Sequence, residues 1–113
     1  MSAETNKAIV RRWQNEVLGG RKFDLIDEVL HPNYVLHDNN INGRDAARAA
    51  FSEMMANPAY DFQNMDMVAE GDKVVSRWIS NDGDKRYKGI SIFRIAEGKI
   101  IEDWYCSEEI KPD

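Results

Sequence analysis

The residues best suited to chemistry are carboxylates that lie among large apolar side chains in one stretch, GISIFRIAEGKIIEDWYCSEE. Alternate residues of a strand point to opposite faces, so Ile100, Trp104 and Glu108 are predicted to share one face. Asp103 and Tyr105 are predicted to share the other face. A carboxyl group in an apolar cavity has a raised pKa and can act as a general base or acid near neutral pH. Glu108 is the first candidate, and a solvated tail is the alternative interpretation of its position.

His37 and Asp38 form a second pair of candidates, at the end of the β-prone segment YVLHD. Neighbours in a regular strand point in opposite directions, so at most one of the two side chains is expected to face a pocket. An Asx turn that caps the following Asn39-Asn40 loop is the alternative for Asp38. A half-buried position with ordinary hydrogen bonds is the alternative for His37.

Arg77 lies in the middle of a predicted strand, between Val75 and Ile79 on one face. A buried guanidinium group needs a partner, so we expect Arg77 to pair with a carboxylate or to contact a ligand oxygen. The two histidines lack companion ligands at metal spacing, and the sequence has no phosphate loop, dinucleotide motif or serine nucleophile motif. We therefore expect no metal and no cofactor.

The composition limits the partners that the protein is expected to have. The 113 residues carry a formal net charge of −5 with acids and bases interspersed, which disfavours nucleic acid as a partner. The N-terminal segment MSAETNKAIVRRW has no apolar run of the length that a signal sequence or membrane span requires, so we expect a cytoplasmic protein without a membrane partner. The single Cys106 is expected to be a small buried side chain.

The periodicity of apolar residues predicts helices first and strands later. Helices are predicted over residues 4–18, around residues 23–30 and over 44–56, and strands over 34–38, 60–69, 73–80, 86–96 and 99–107. The short connections between the last four strands imply consecutive antiparallel neighbours. This order predicts an α+β fold, with three N-terminal helices packed on a strongly curved, mainly antiparallel sheet.

The order of elements, with the segments DMVAEGDKVVSRW and GISIFRIAEGKIIEDW, resembles the NTF2-like superfamily and within it the SnoaL-like polyketide cyclase family. The resemblance covers nearly the whole chain and implies a single domain over residues 1–113, in which a cone-like sheet encloses a pocket closed by the helices. It also implies a homodimer through the outer sheet face, where we place Trp78 and Tyr105. The superfamily includes isomerases, cyclases, dehydratases, epoxide hydrolases and binding domains, so fold alone does not decide activity.

The resemblance also implies roles for individual residues. SnoaL-like cyclases commonly place a proton-abstracting acid at the position of Glu108, and a histidine is familiar among them at the position of His37. Ketosteroid isomerases are similar in placing a proton-shuttling acid at the position of Asp38. Limonene-epoxide-hydrolase-like enzymes carry an acid two residues after the arginine that matches Arg77, but here that residue is Ile79.

Two further departures from the family pattern concern the pocket. Ketosteroid isomerases hold the oxyanion with a tyrosine of the first helix, and this helix offers Trp13 and Gln14 in that neighbourhood. Trp13 is also expected at a core position, from its helical spacing. The loop that carries a histidine-containing segment in the longer cyclases is shortened here to SNDGDKRYKG, which implies a shallower or more open pocket beside Tyr87.

Two functions are consistent with these features. The first is a cofactor-free cyclase or isomerase, in which Glu108, Asp38 or His37 moves a proton next to the carbonyl of a small apolar compound. Arg77, an indole or a phenol would then stabilise the enolate oxygen, and replacing Glu108 with Gln is expected to abolish turnover. The second is a non-catalytic module for small-molecule binding or dimerisation. In both, the residues expected to bind the ligand are Trp13, Phe51, Met65, Met67, Tyr87 and Trp104.

Overall fold

The first helix changes its pitch partway along. In the computed structural model, which describes residues 2–111, helix α1 (Ala3–Arg11) begins where the Ser2 hydroxyl accepts a hydrogen bond from the N–H of Thr5. It continues directly as a π-helical segment, Arg12–Leu18, in which Trp13, Gln14, Val17 and Leu18 are buried. The predicted helix over residues 4–18 is confirmed, and its wider second half buries two adjacent side chains.

The end of this segment depends on the small size of Gly19. A Cβ atom on Gly19 would lie 2.5 Å from the carbonyl oxygen of Phe62, so only glycine lets the chain approach the sheet this closely.

The other two helices have very different lengths. Helix α2 (Ile26–Val29) is a single turn that follows a 3-10 turn over Phe23–Leu25. Helix α3 (Arg44–Met55) packs against the first strand and buries Ala47, Phe51 and Met55. This matches the predicted apolar stripe, except that Met54 is 40% exposed.

The six strands form one mixed sheet that wraps around the helices. They are β1 (Leu30–Leu36), β2 (Ile41–Asn42), β3 (Asp61–Glu70), β4 (Lys73–Asn81), β5 (Arg86–Ala96) and β6 (Lys99–Ile110). Their order in the sheet is β2-β1-β6-β5-β4-β3. Strand β1 runs parallel to β6, and all other pairs are antiparallel. The predicted α+β class and the curved, mainly antiparallel sheet are confirmed.

An extra residue in β6 changes the expected faces of that strand. Arg94 pairs with Glu102 but Ile95 pairs with Ile100, so Ile101 is a bulge. The bulge turns Ile100 into the core, where it is fully buried, while Trp104 stays on the outer face. The prediction that Ile100 and Trp104 share a face was wrong because strict alternation stops at the bulge.

Strand β1 ends earlier than the sequence indicates. It stops at Leu36, and His37–Asn39 form a 3-10 turn. The predicted strand over residues 34–38 is therefore too long at its C-terminal end, and strand alternation cannot be applied to His37 and Asp38.

The concave face of the sheet holds the core, and the convex face stays open to solvent. Val74, Phe93 and Ile95 pack inward against the helices. Apolar side chains on the convex strands are exposed by 38–66%, and they are Met65, Val68, Ile90 and Ile92. This arrangement explains why the last strands carry large apolar groups on both faces.

Three expectations about individual side chains need correction. Cys106 is exposed on the convex face, and not buried. Trp78 and Tyr105 lie on the concave face, so they cannot form the outer dimer surface for which they were proposed. No helix among the described residues is long and apolar enough to cross a membrane.

Candidate active site

The concave face of the sheet and the helices enclose a cavity of about 400 Å³. Its inner walls are mostly aromatic or aliphatic, and they include Trp13, Phe51, Phe62, Trp78 and Phe93. Exposed residues such as Asn39, Asp82 and Ser107 mark its mouth. A volume of this size and an apolar lining are typical of small-molecule sites, which usually carry only a few polar groups.

One of those polar groups is the carboxyl group of Asp103, on β6. The Asp103 side chain lines the cavity and is only 5% exposed. Its Oδ2 atom accepts a hydrogen bond of 2.7 Å from the hydroxyl of Tyr34, while its Oδ1 atom has no partner among the described residues. A buried carboxyl oxygen without a partner is unusual in a folded protein and is a common feature of sites that await a ligand.

Burial dominates the electrostatics of this carboxyl group. Loss of solvation raises the pKa of Asp103 to about 7, the Tyr34 hydrogen bond lowers it, and the negative charge of Asp38 adds to the rise. The same surroundings raise the pKa of the Tyr34 phenol well above its ordinary value, first through burial and then through the Asp103 charge. Asp103 is therefore poised to give or accept a proton near neutral pH, with Tyr34 as a lasting hydrogen-bond donor.

The parallel pairing of β1 with β6 creates this contact. Leu36 is opposite Asp103 in the register, so the inward-facing Tyr34 reaches the same part of the cavity. Across the strands, Phe93 is the partner of Asp103 and shares its face. An acid thus stands in an otherwise apolar row because its one donor comes from a strand distant in sequence.

Trp78 forms much of another wall and is held from the neighbouring strand. Its indole N–H donates a 2.8 Å hydrogen bond to the hydroxyl of Ser91. A Cβ on Gly89, its cross-strand partner, would lie 2.2 Å from the indole ring. The absence of a side chain at Gly89 therefore lets the ring lie flat across β5.

Two more hydrogen-bonding groups of the cavity differ in their availability. Gln14 is fully engaged, because its amide donates to the Ser76 hydroxyl at 2.7 Å and accepts from Asn64 at 2.7 Å. The hydroxyl of Tyr60 has no partner among the described residues, and burial raises its pKa. Tyr60 can thus serve a ligand oxygen, whereas Gln14 is part of the framework.

The wall that contains Tyr60 is fixed by Arg21. Its guanidinium group donates to the carbonyl oxygens of Met55, Asn57 and Pro58, and also to that of Tyr60. Four carbonyl groups on one guanidinium group fasten the connection between α3 and β3 against the end of the first helix. This arrangement keeps the mouth of the cavity in one shape.

The family comparison can be set beside this geometry. Residues 10–103 match the model of the SnoaL-like domain. The chain belongs to the SnoaL-like domain family. A comparison with curated protein sequences finds no significant match.

Solved structures of SnoaL-like and related proteins share the fold at low sequence identity. A candidate ketosteroid isomerase from Kribbella flavida DSM 17836 is 17% identical with a TM-score of 0.83, covering 98% of this chain and 83% of that chain. A candidate SnoaL-like polyketide cyclase from Jannaschia sp. CCS1 is 19% identical with a TM-score of 0.78, covering 94% and 87%. An NTF2-like protein of unknown function from Mesorhizobium loti is 21% identical with a TM-score of 0.80, covering 94% and 93%. These similarities establish an NTF2-like fold.

The four residues predicted from the sequence to do chemistry do not meet in this SnoaL-like cavity. Glu108 lies on the convex face, 3.0 Å from the ammonium group of Lys88. Arg77 lies on the same face, where Asp66 accepts two hydrogen bonds of 2.7 Å from its guanidinium group. This ion pair lowers the pKa of Asp66 and raises that of Arg77. Both expected cavity positions were wrong because these residues belong to the solvent side of the alternation.

His37 and Asp38 are also outside the cavity walls. The His37 ring stacks on Trp104 with 4.7 Å between centroids, and its Nε2 lies 2.8 Å from a carboxyl oxygen of Glu102. Asp38 accepts a 2.7 Å hydrogen bond from the backbone N–H of Tyr105. Asp38 therefore influences the site through its charge near Asp103, and His37 packs on the outer surface.

The predicted ligand-binding residues divide between the two faces. Trp13, Phe51 and Tyr87 line the cavity, as expected. Met65 and Trp104 belong to the convex face, and Met67 packs against the core beside the cavity. A signal for the missed acid was present in the sequence, because Asp103 shares its strand face with Tyr105.

No group of three or more metal-ligating side chains occurs among residues 2–111. The groups available for chemistry in the described cavity are therefore a carboxyl, hydroxyls, amides and aromatic rings.

Proposed function

We propose that this SnoaL-like protein is a cofactor-free enzyme that moves a proton next to the carbonyl group of a small uncharged compound. Asp103 is the catalytic residue of the proposal, in place of Glu108, Asp38 and His37. The observation that carries it is one carboxyl group, buried in an apolar cavity, with a free oxygen atom and a raised pKa. These are the properties that a general base or acid needs near neutral pH.

The rest of the cavity supports the same chemistry. The Tyr34 hydroxyl keeps one oxygen of Asp103 occupied, so proton transfer would use the other oxygen, Oδ1. The unpartnered hydroxyl of Tyr60 is available to stabilise an enolate oxygen. Arg77 has no part in this proposal because it is paired on the convex face. Isomerisation and aldol-type cyclisation both begin with the proton abstraction described here.

The first test is exchange of the α-protons of a neutral ring ketone for deuterium, followed by NMR. The wild-type protein should accelerate exchange, with a rate that rises with pH through the Asp103 value of about 7, because the ionised form is the base. Asp103→Asn should lower this acceleration by about 10²–10⁴-fold, the usual contribution of a general base.

Glu108→Gln is the matched control for this experiment. It makes the same carboxyl-to-amide change on the convex face, where it should leave the exchange rate unaltered. Equal rates for Asp103→Asn and wild type would refute the proposal. Ligand binding without any exchange would favour the alternative function, a small-molecule-binding module.

We also propose a homodimer through the convex face of the sheet. Its support is the set of exposed apolar residues on neighbouring strands, Met65, Val68, Ile90 and Ile92. Contiguous apolar surface on a small protein is often an interaction site. This surface replaces Trp78 and Tyr105, which line the cavity.

A further inference from the structure

The charges around the cavity are all of one sign. Among the described residues that line it, no lysine, arginine or histidine is present, and the charged members are Asp82 and Asp103. Asp82 is exposed at the mouth, while Asp103 is buried with one oxygen free. A carboxylate or phosphate brought into this cavity would lose its water and meet no positive partner, which is a costly arrangement.

The aromatic walls act in the same direction. The faces of Trp13, Phe51, Trp78 and Phe93 contribute to the lining. The face of an aromatic ring is electrically negative and attracts an ammonium group, at distances up to about 6 Å from the ring centre. Such walls are favourable to uncharged rings and to cations, and unfavourable to anions.

We propose that the cavity selects its ligand by charge: it accepts ring compounds that are uncharged or carry an ammonium group, it rejects carboxylates and phosphates, and Asp103 sets this selectivity. The inference deepens the proposed function and rests on the same cavity. The free Oδ1 atom of Asp103 accepts a hydrogen bond from an ammonium or hydroxyl group, and the protonated form donates one to a carbonyl oxygen.

The groups that face Asp103 do not reverse this selectivity. They are the Tyr34 hydroxyl from β1, the Asp38 carboxyl from the turn after β1, and Tyr105 from β6 itself. None is positively charged. The nearest basic residue known to pair with β6 on its outer side is Arg94, which binds Glu102. The selectivity therefore has one main source, the charge state of Asp103.

The test compares cinnamyl alcohol, cinnamylamine and cinnamate, which share one ring and differ in charge. Binding to the full chain is measured by calorimetry at about pH 8, where Asp103 is mostly ionised and the amine is mostly protonated. We expect cinnamylamine to bind about 100-fold more tightly than cinnamate, with the alcohol between them, as is usual for a charge facing a buried carboxylate. Asp103→Asn should reduce the amine-to-carboxylate ratio by about tenfold or more.

Glu108→Gln serves as the control, since it removes one carboxylate from the convex face and should keep the wild-type ratio. A second measurement needs no variant: at about pH 5.5 the protonated Asp103 of the wild type should also narrow the ratio. A ratio near one in the wild type, an unchanged ratio in Asp103→Asn, or binding of none of the three compounds would overturn the inference. Retained selectivity without proton exchange would refute the proposed catalysis and leave the charge selectivity standing.

Discussion

At the scale of single residues, the site depends on where one acid lies relative to water. Asp103 and Glu108 are both carboxyl groups of β6, yet Asp103 is buried beside Tyr34 and Glu108 is exposed beside Lys88. The chemistry of a carboxyl group depends on its surroundings more than on its type, because burial raises the pKa and an exposed ion pair favours the charged form. This difference assigns the proton-transfer role to Asp103.

A residue-scale prediction concerns the shape of the cavity. Gly89→Ala would place a Cβ 2.2 Å from the Trp78 ring, so the indole must turn away and lose its hydrogen bond to Ser91. We expect a loss of about 1–3 kcal/mol in the free energy of unfolding, measured by urea denaturation, together with a changed tryptophan emission spectrum.

Ser91→Ala is the matched variant for this prediction. It removes the same hydrogen bond without adding an atom, so it should cost only about 1 kcal/mol and leave the ring in place. Equal behaviour of Gly89→Ala and wild type would show that the ring does not depend on the space above Gly89.

At the scale of elements, the sequence was sufficient for the types and order of the helices and long strands. Strong apolar periodicity and short glycine-containing turns identified all four strands of the meander. Two local irregularities were not predictable from alternation, and both affect the site. The bulge at Ile101 changes the face of Ile100, and the turn over His37–Asn39 moves two candidate residues away from the cavity.

Long-range pairing explains why the acid of the site was missed. The contact between Tyr34 and Asp103 joins residues 69 positions apart and depends on the parallel pairing of β1 with β6. Local pattern could place Asp103 on a strand face beside Tyr105, but it could not show which carboxyl group lacks water. Burial is a property of the whole packed sheet, so Glu108 and Asp103 were not distinguishable by sequence alone.

At the scale of the whole molecule, the curved sheet separates two surfaces with different uses. The concave surface encloses the cavity, and the convex surface presents exposed apolar side chains on β3 and β5. The same strands therefore provide an internal site and an external contact surface. This division accounts for the apolar residues on both faces of the last two strands.

The whole-molecule prediction concerns assembly. Ile90 is 46% exposed on the convex face, so Ile90→Glu should cost the folded monomer little while placing a charge in the proposed interface. We expect light scattering at micromolar concentration to show a dimer for the wild type and a dissociation constant raised by about tenfold or more for the variant. Ala8→Glu, on the exposed side of α1, should keep the dimer. A monomeric wild type would contradict the proposed assembly.

The central claim is that Asp103 titrates near neutral pH inside the cavity. The most direct measurement is a pH titration of the side-chain carboxyl carbons by NMR, with the Asp103→Asn variant used to assign the Asp103 signal. The structure predicts a midpoint at about 7, because burial outweighs the Tyr34 hydrogen bond. A midpoint near the ordinary aspartate value of 3.8 would mean that the carboxyl group stays ionised as in water, and it would contradict the proposed general-base role.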